Sequence, residues 1–114
     1  MTDCGVVFMT ASSREEAEKI AQALISKKLA ACVQIIPEIY SRYWWEGRVC
    51  NDREVLLIAK TTQKLFPALT AAVQEVHSYQ VPEIVFTPIC DGLPQYLAWI
   101  HDVTAAAEDP TSSP

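Results

Sequence analysis

The chain has no apolar run near the ~18 residues needed to cross a bilayer, so no membrane-spanning helix is expected. It opens Met1-Thr2-Asp3-Cys4, without the basic stretch of a secretory leader, and the expected location is the cytoplasm. Its four cysteines, Cys4, Cys32, Cys50 and Cys90, contain no CxxC pair, which argues against a zinc knuckle or a thioredoxin-like motif. With no secretory leader, thiols are expected rather than disulfides. No glycine-rich loop is present to cradle a phosphate. Basic residues are also few: nine Lys and Arg stand against fourteen Asp and Glu, giving a net charge of −5 and a pI near 4.9. A domain this acidic repels a phosphate backbone, and nucleic acid is not an expected partner. Internal repeats and low-complexity tracts are absent.

What is there is ordinary globular composition: 114 residues, 50% apolar and 20% charged, enough for one domain. That domain is expected over residues 1–107, with a disordered, proline-bounded polar tail over 108–114. Val6-Val7-Phe8-Met9-Thr10 reads as a strand. Ser13 and Glu16 match the S-x-x-E capping box at a helix start. Ala17, Ile20, Ala21, Leu24, Ile25 and Leu29 then recur at helical spacing, with Arg14, Glu15, Glu18, Lys19 and Gln22 on the opposite face. Residues 30–45 are rich in β-branched and aromatic side chains, and predict one long strand bent or bulged at Pro37, which cannot donate to a ladder. Glu46-Gly47 predicts a hairpin turn. A return strand follows to Lys60, expected to be irregular near Cys50-Asn51-Asp52.

A second helix is expected from about Lys64 to Val76 with Pro67 in its first turn, preceded by Lys60-Thr61-Thr62, where Thr62 is the expected cap. Residues 83–89 predict a fourth strand, and Pro94 opens a third helix with Leu93, Tyr96, Leu97, Ile100 and Val103 as its stripe. The order β-α-β-β-α-β plus a helix is that of an α+β, ferredoxin-like domain with an extended β2–β3 hairpin and an extra C-terminal helix.

A four-stranded sheet with both helices on one side leaves its other face open. Yet the long strands carry nearly consecutive apolar residues, the pattern of burial on both faces. Tyr43, Trp44 and Trp45 also crowd the hairpin tip. Packing of several subunits, each hairpin lying across a neighbour, accounts for both features. Tyr43, Trp44 and Trp45, with Tyr79 and Trp99, are therefore the expected interface residues.

Ala31-Cys32-Val33 and the run from Ile39 to Gly47 resemble the A-C-V … S-x-Y-x-W-x-G signature of the CutA divalent-cation tolerance family. Lys60-Thr61-Thr62, the run from His77 to Ile84, Pro88-Ile89, Gly92 and Tyr96-Leu97-Ala98-Trp99 extend the likeness over about residues 5–104. The resemblance implies a compact homotrimer, similar in architecture to the nitrogen-regulatory signalling trimers, that is cytoplasmic in bacteria or an organellar or secretory-route form in eukaryotes; with no transit peptide, the bacterial, cytoplasmic type is expected. It also implies tolerance of divalent metals and binding of copper, with zinc or another divalent cation as alternatives. Two departures stand out. Ser78 replaces the family's usual proline, which is expected to loosen the loop beside His77, and Gln80 replaces a common glutamate, which removes a hard ligand.

The resemblance points to Cys32 and His77 as copper ligands, with Glu83, Glu38, Asp91, His101 or a neighbouring chain completing the set. Thiolate and imidazole suit copper or zinc better than magnesium or calcium. Cys32 also reads as a small buried hydrophobe, His77 as a helix-end cap, and His101 as a solvated surface residue. No spacing identifies a general acid–base pair, and the turn Ala11-Ser12-Ser13-Arg14 lacks the phosphate cradle of an acylphosphatase, so no enzyme is expected. The leading expectation is a trimeric, metal-binding tolerance protein; the alternative is a scaffold hub whose metal binding is incidental.

Overall fold

The computed structural model describes residues 2–108. The expected tail, 108–114, lies outside them except for Glu108, whose backbone closes the last helix. The chain runs β1 (Cys4–Ala11), α1 (Arg14–Ser26), β2 (Cys32–Trp45), β3 (Arg48–Thr62), a 3-10 turn (Gln63–Leu65), α2 (Phe66–Val76), β4 (Ile84–Pro88) and α3 (Pro94–Glu108). The four strands form one antiparallel sheet ordered β2-β3-β1-β4, the ferredoxin-like arrangement. No helix among the described residues is long and apolar enough to cross a membrane.

Side chains alternate across the sheet, so each strand has two distinct rows. One row, Val7, Met9 and Ala11 on β1 with Val55, Leu57 and Ala59 on β3, is buried against Ala17, Ile20 and Leu24 of α1 and Leu69, Ala72 and Val73 of α2. The other row contains Val6 and Phe8, opposite Thr87 and Val85 of β4, with Leu56 and Ile58 of β3 and Ile36 of β2. This second face stays partly open: Ile36 is 41% and Val85 50% exposed. The third helix closes only the end near the start of β1, where Ile100 and Thr104 are fully buried.

The bend expected at Pro37 is a shift in the β2–β3 register between Ile36 and Ile39. A missing N–H on an edge strand is accommodated by this kind of irregularity. The irregularity expected at Cys50-Asn51-Asp52 does not occur, because these residues pair in continuous register with Tyr43, Arg42 and Ser41. At the tip, Glu46 (φ 49°) and Gly47 (φ 77°) both take the left-handed conformation of a two-residue hairpin turn closed by Trp45 and Arg48.

The second helix starts at Phe66 rather than Lys64, since Gln63–Leu65 forms the tighter 3-10 turn. Thr62 occupies the N-cap position without a side-chain cap, which corrects the capping role expected of it. Its neighbour Thr61 is buried and donates its hydroxyl to the Leu29 carbonyl at 2.6 Å, tying β3 to the loop that follows α1.

Candidate functional site

A cleft of about 690 Å³ opens where the hairpin leaves the sheet, lined among others by Thr10, Arg42, Tyr43, Glu54, Tyr79 and Glu83. Glu54 is buried, and its Oε2 accepts a hydrogen bond from the Tyr79 hydroxyl at 2.8 Å. Burial first, and then that bond and the Glu54 charge, push the Tyr79 hydroxyl well above the usual phenol range. Beside it the Tyr43 hydroxyl donates to Asp52, which raises its pKa to about 12. Both phenols therefore remain protonated donors at neutral pH, held by carboxylates across the hairpin base.

Behind the cleft, the connection from α2 to β4 packs on β1 through His77. The His77 ring is fully buried. Its Nδ1 accepts from the Tyr79 backbone N–H at 3.0 Å, so the partners assign the proton to Nε2, which donates to the Thr10 carbonyl at 2.7 Å. Both ring nitrogens are thus engaged. His77 sits at the C-cap of α2, but its ring reaches across to β1 and not to the helix's last carbonyls.

Glu16 locks the same corner. Ser13 caps α1 by accepting from the Glu16 N–H at 3.1 Å, as the capping box predicts. The carboxylate reaches beyond the box: Oε1 accepts from the Ser12 N–H at 2.9 Å and Oε2 from the Ser78 N–H at 2.8 Å. Proline at residue 78 has no N–H to give. Serine therefore supplies a tether here, contrary to the loosening expected from its replacing proline.

Burial by itself would raise the Glu16 carboxyl, but the hydrogen bonds from Ser12 and Ser78 outweigh it and hold the group below its ordinary 4.5. A carboxyl lowered by folding stabilises the protein above the unfolded-state pKa, and the contribution is lost as pH falls through the folded value. Glu16→Gln is expected to cost about 1–2 kcal/mol at pH 7. In thermal unfolding across pH, the gap between the two proteins should close below pH 4.5. A gap independent of pH would mean that the charge contributes nothing.

The expected metal donors are not brought together within one chain. Cys32 is half-buried on edge strand β2, in the row of Lys60 and Val6, whereas His77 is bonded to Thr10 at the other end of β1. The Val6 and Thr10 rows are about 13 Å apart along the strand at ~3.3 Å per residue. Glu83 is exposed at the cleft. A copper site containing all three would have to be completed across protomers. Among the described residues, one group of three donors does converge, Asp3, Cys4 and His101, at the far end of β1. His101, expected to be a solvated surface residue, is half-buried and paired to Asp3.

Of the expected interface residues, Trp44 is 74% exposed, while Tyr43, Trp45 and Trp99 retain about two-fifths of their surface (38%, 42% and 40%) and Tyr79 is half-buried in the cleft.

A family model described as CutA1 divalent ion tolerance protein matches residues 5–103. The chain belongs to the CutA1 family. It is 48% identical to the divalent-cation tolerance protein CutA of Thermus thermophilus over 99 residues, covering 87% of this chain and 96% of that one. It is 44% identical to mouse protein CutA over 102 residues, 90% of this chain and 58% of the relative. The chain therefore spans little more than half the length of the mouse CutA, and 56% of a chloroplastic rice CutA 1. Among solved structures, the periplasmic CutA of Archaeoglobus fulgidus superposes with a TM-score of 0.86 at 42% identity, covering 89% of this chain and 98% of that one. CutA1 of Thermus thermophilus gives 0.83 at 47% identity, over 85% and 94%.

Proposed function

We propose that this chain is a non-catalytic homotrimer that binds divalent cations, copper foremost, and contributes to metal tolerance. The observation that carries the assembly is the hairpin. It projects Tyr40 at 75% and Trp44 at 74% exposure beside the half-open apolar face that includes Ile36 and Val85. An apolar patch of this kind on one chain calls for a partner, and a second and third copy of the same chain supply matching surfaces. The hairpin cleft then lies at the boundary between protomers, where Glu83 is open to donors from a neighbour, and Cys32 offers a separate donor on edge strand β2 about 13 Å away. Four cysteines held as thiols rather than disulfides support a reducing compartment, the cytoplasm, for this reading. The cleft's residues are held by one another rather than poised around a reacting atom, which supports a binding role over a catalytic one.

Native mass spectrometry with and without added copper, repeated with zinc, tests the reading. A trimer taking up a fixed, small number of copper ions per subunit is expected. A monomer would overturn the assembly. Graded uptake that tracks the number of accessible thiols would overturn specific copper binding and favour a scaffold role.

A further inference from the structure

Asp3 and His101 lie 98 residues apart in sequence, yet His101 Nε2 is 2.5 Å from Asp3 Oδ1. The Cys4 Sγ lies beside this pair, and the three ligand atoms are all within 4.8 Å of one another. The backbone that carries Asp3 and Cys4 is pinned. The Gln63 N–H donates to the Asp3 carbonyl at 2.8 Å and the Ile89 N–H to the Cys4 carbonyl at 3.0 Å. The Thr2 hydroxyl bridges from the Cys4 N–H, at 3.2 Å, to the Ile89 carbonyl, at 2.8 Å. The α3 side is equally fixed. Cys4 donates its thiol hydrogen to the Leu97 carbonyl at 3.7 Å, and His101 follows Leu97 by one helical turn on the same face. Fully buried Ile100 and Thr104 anchor that turn against the sheet.

We propose that Asp3, Cys4 and His101 form a three-ligand site for a zinc-like divalent cation that clasps the start of β1 to α3. Carboxylate, thiolate and imidazole together select a borderline cation over magnesium or calcium. The ligand atoms of a tetrahedral zinc centre sit about 3.3–3.8 Å apart, from bonds of about 2.0–2.3 Å. Rotation of two side chains reaches that spacing, since Asp3 and His101 are 54% and 39% exposed. On binding, the imidazole hydrogen moves to Nδ1 so that Nε2 can ligate, the cation takes the place of the His101–Asp3 hydrogen bond, and the Cys4 thiol proton is released to solvent. A water would supply the fourth ligand, since Asp3 is exposed.

The site lies about 20 Å along β1 from Thr10, at ~3.3 Å per residue, and is complete within one chain. It therefore stands or falls independently of the hairpin cleft and of trimer assembly. Cobalt(II) is the probe, titrated into a Cys32→Ser, Cys50→Ser, Cys90→Ser chain in which Cys4 is the sole thiol. The expected result is a thiolate-to-cobalt charge-transfer band that saturates at one equivalent and is displaced by zinc. Asp3→Asn and His101→Gln should each weaken binding at least about tenfold. Zinc should also raise the unfolding midpoint of the natural chain, and His101→Gln should remove that rise; this second measurement decides the matter if the three-serine chain fails to fold. Absence of the band with Cys4 intact overturns the proposal. So does binding that both exposed substitutions leave unchanged, or a midpoint indifferent to zinc.

Discussion

Replacing His77 by alanine is expected to cost about 3 kcal/mol of stability, among the largest effects of any single change in the chain. The ring is fully buried and fills the corner between α2, β1 and the loop leading to β4. Its removal leaves a cavity, strips the Thr10 carbonyl of its donor, and frees the Tyr79 N–H, whose loop carries the hydroxyl that holds Glu54. At roughly 4 °C per kcal/mol for a domain of this size, thermal unfolding at fixed protein concentration should fall by about 12 °C. His77→Gln, which offers an amide donor to the same carbonyl, should recover about half of the loss. Copper uptake per folded chain should be unchanged in both variants, because both ring nitrogens already serve the fold. A His77→Ala protein as stable as the parent, or one that folds normally and loses copper, would reverse this assignment.

Gly5→Ala is the second large effect. Gly5 lies in central strand β1, and a Cβ there would come 2.1 Å from Cζ and 2.4 Å from Cε2 of Phe86. The Phe86 ring crosses the bare backbone at this point and packs against Phe66 of α2, with ring centroids 5.6 Å apart. A methyl group must push the ring off Phe66, at an expected cost of about 2–3 kcal/mol. The cause is specific enough for a double-mutant cycle. In a Phe86→Ala background, Gly5→Ala should be nearly neutral, leaving a coupling energy of about 2 kcal/mol between the two residues. Additive losses in denaturant unfolding would show that the glycine serves the backbone and not the ring.

Much of this architecture was legible because its signals are local. Pro37 lacks an N–H, so a long strand through it had to bulge nearby, and the register shifts between Ile36 and Ile39. Glu46-Gly47 sits between runs of strand formers, and a two-residue turn with both φ values positive follows. Ser13 and Glu16 announce the start of α1. The expectations that failed concern partners outside the local window. Thr62 looked like a cap, but its side chain makes no cap bond, and the neighbouring Thr61 is the one that reaches a distant carbonyl. Ser78 looked like a weakness until the Glu16 carboxylate came within 2.8 Å of its N–H. Irregularity was expected near Asn51, whereas pairing with β2 holds this stretch in continuous register.

By itself the sequence determined the kind and order of the elements, the amphipathic faces of α1 and α2, the hairpin, and hence the ferredoxin-like class. Periodicity, capping and turn chemistry act over a few residues, and those are properties of the chain alone. Only the tertiary structure decided which side chains meet. Glu16 meets Ser78, Tyr79 meets Glu54, and Asp3 and Cys4 meet His101 because β1 lies in the interior of the sheet and α3 docks across its beginning. A strand's period of two says that residues share a face, but not what that face will touch until register and docking are set. Ligand sets and buried networks depend on distances of a few ångströms between residues far apart in the chain, and those distances exist only in the folded molecule.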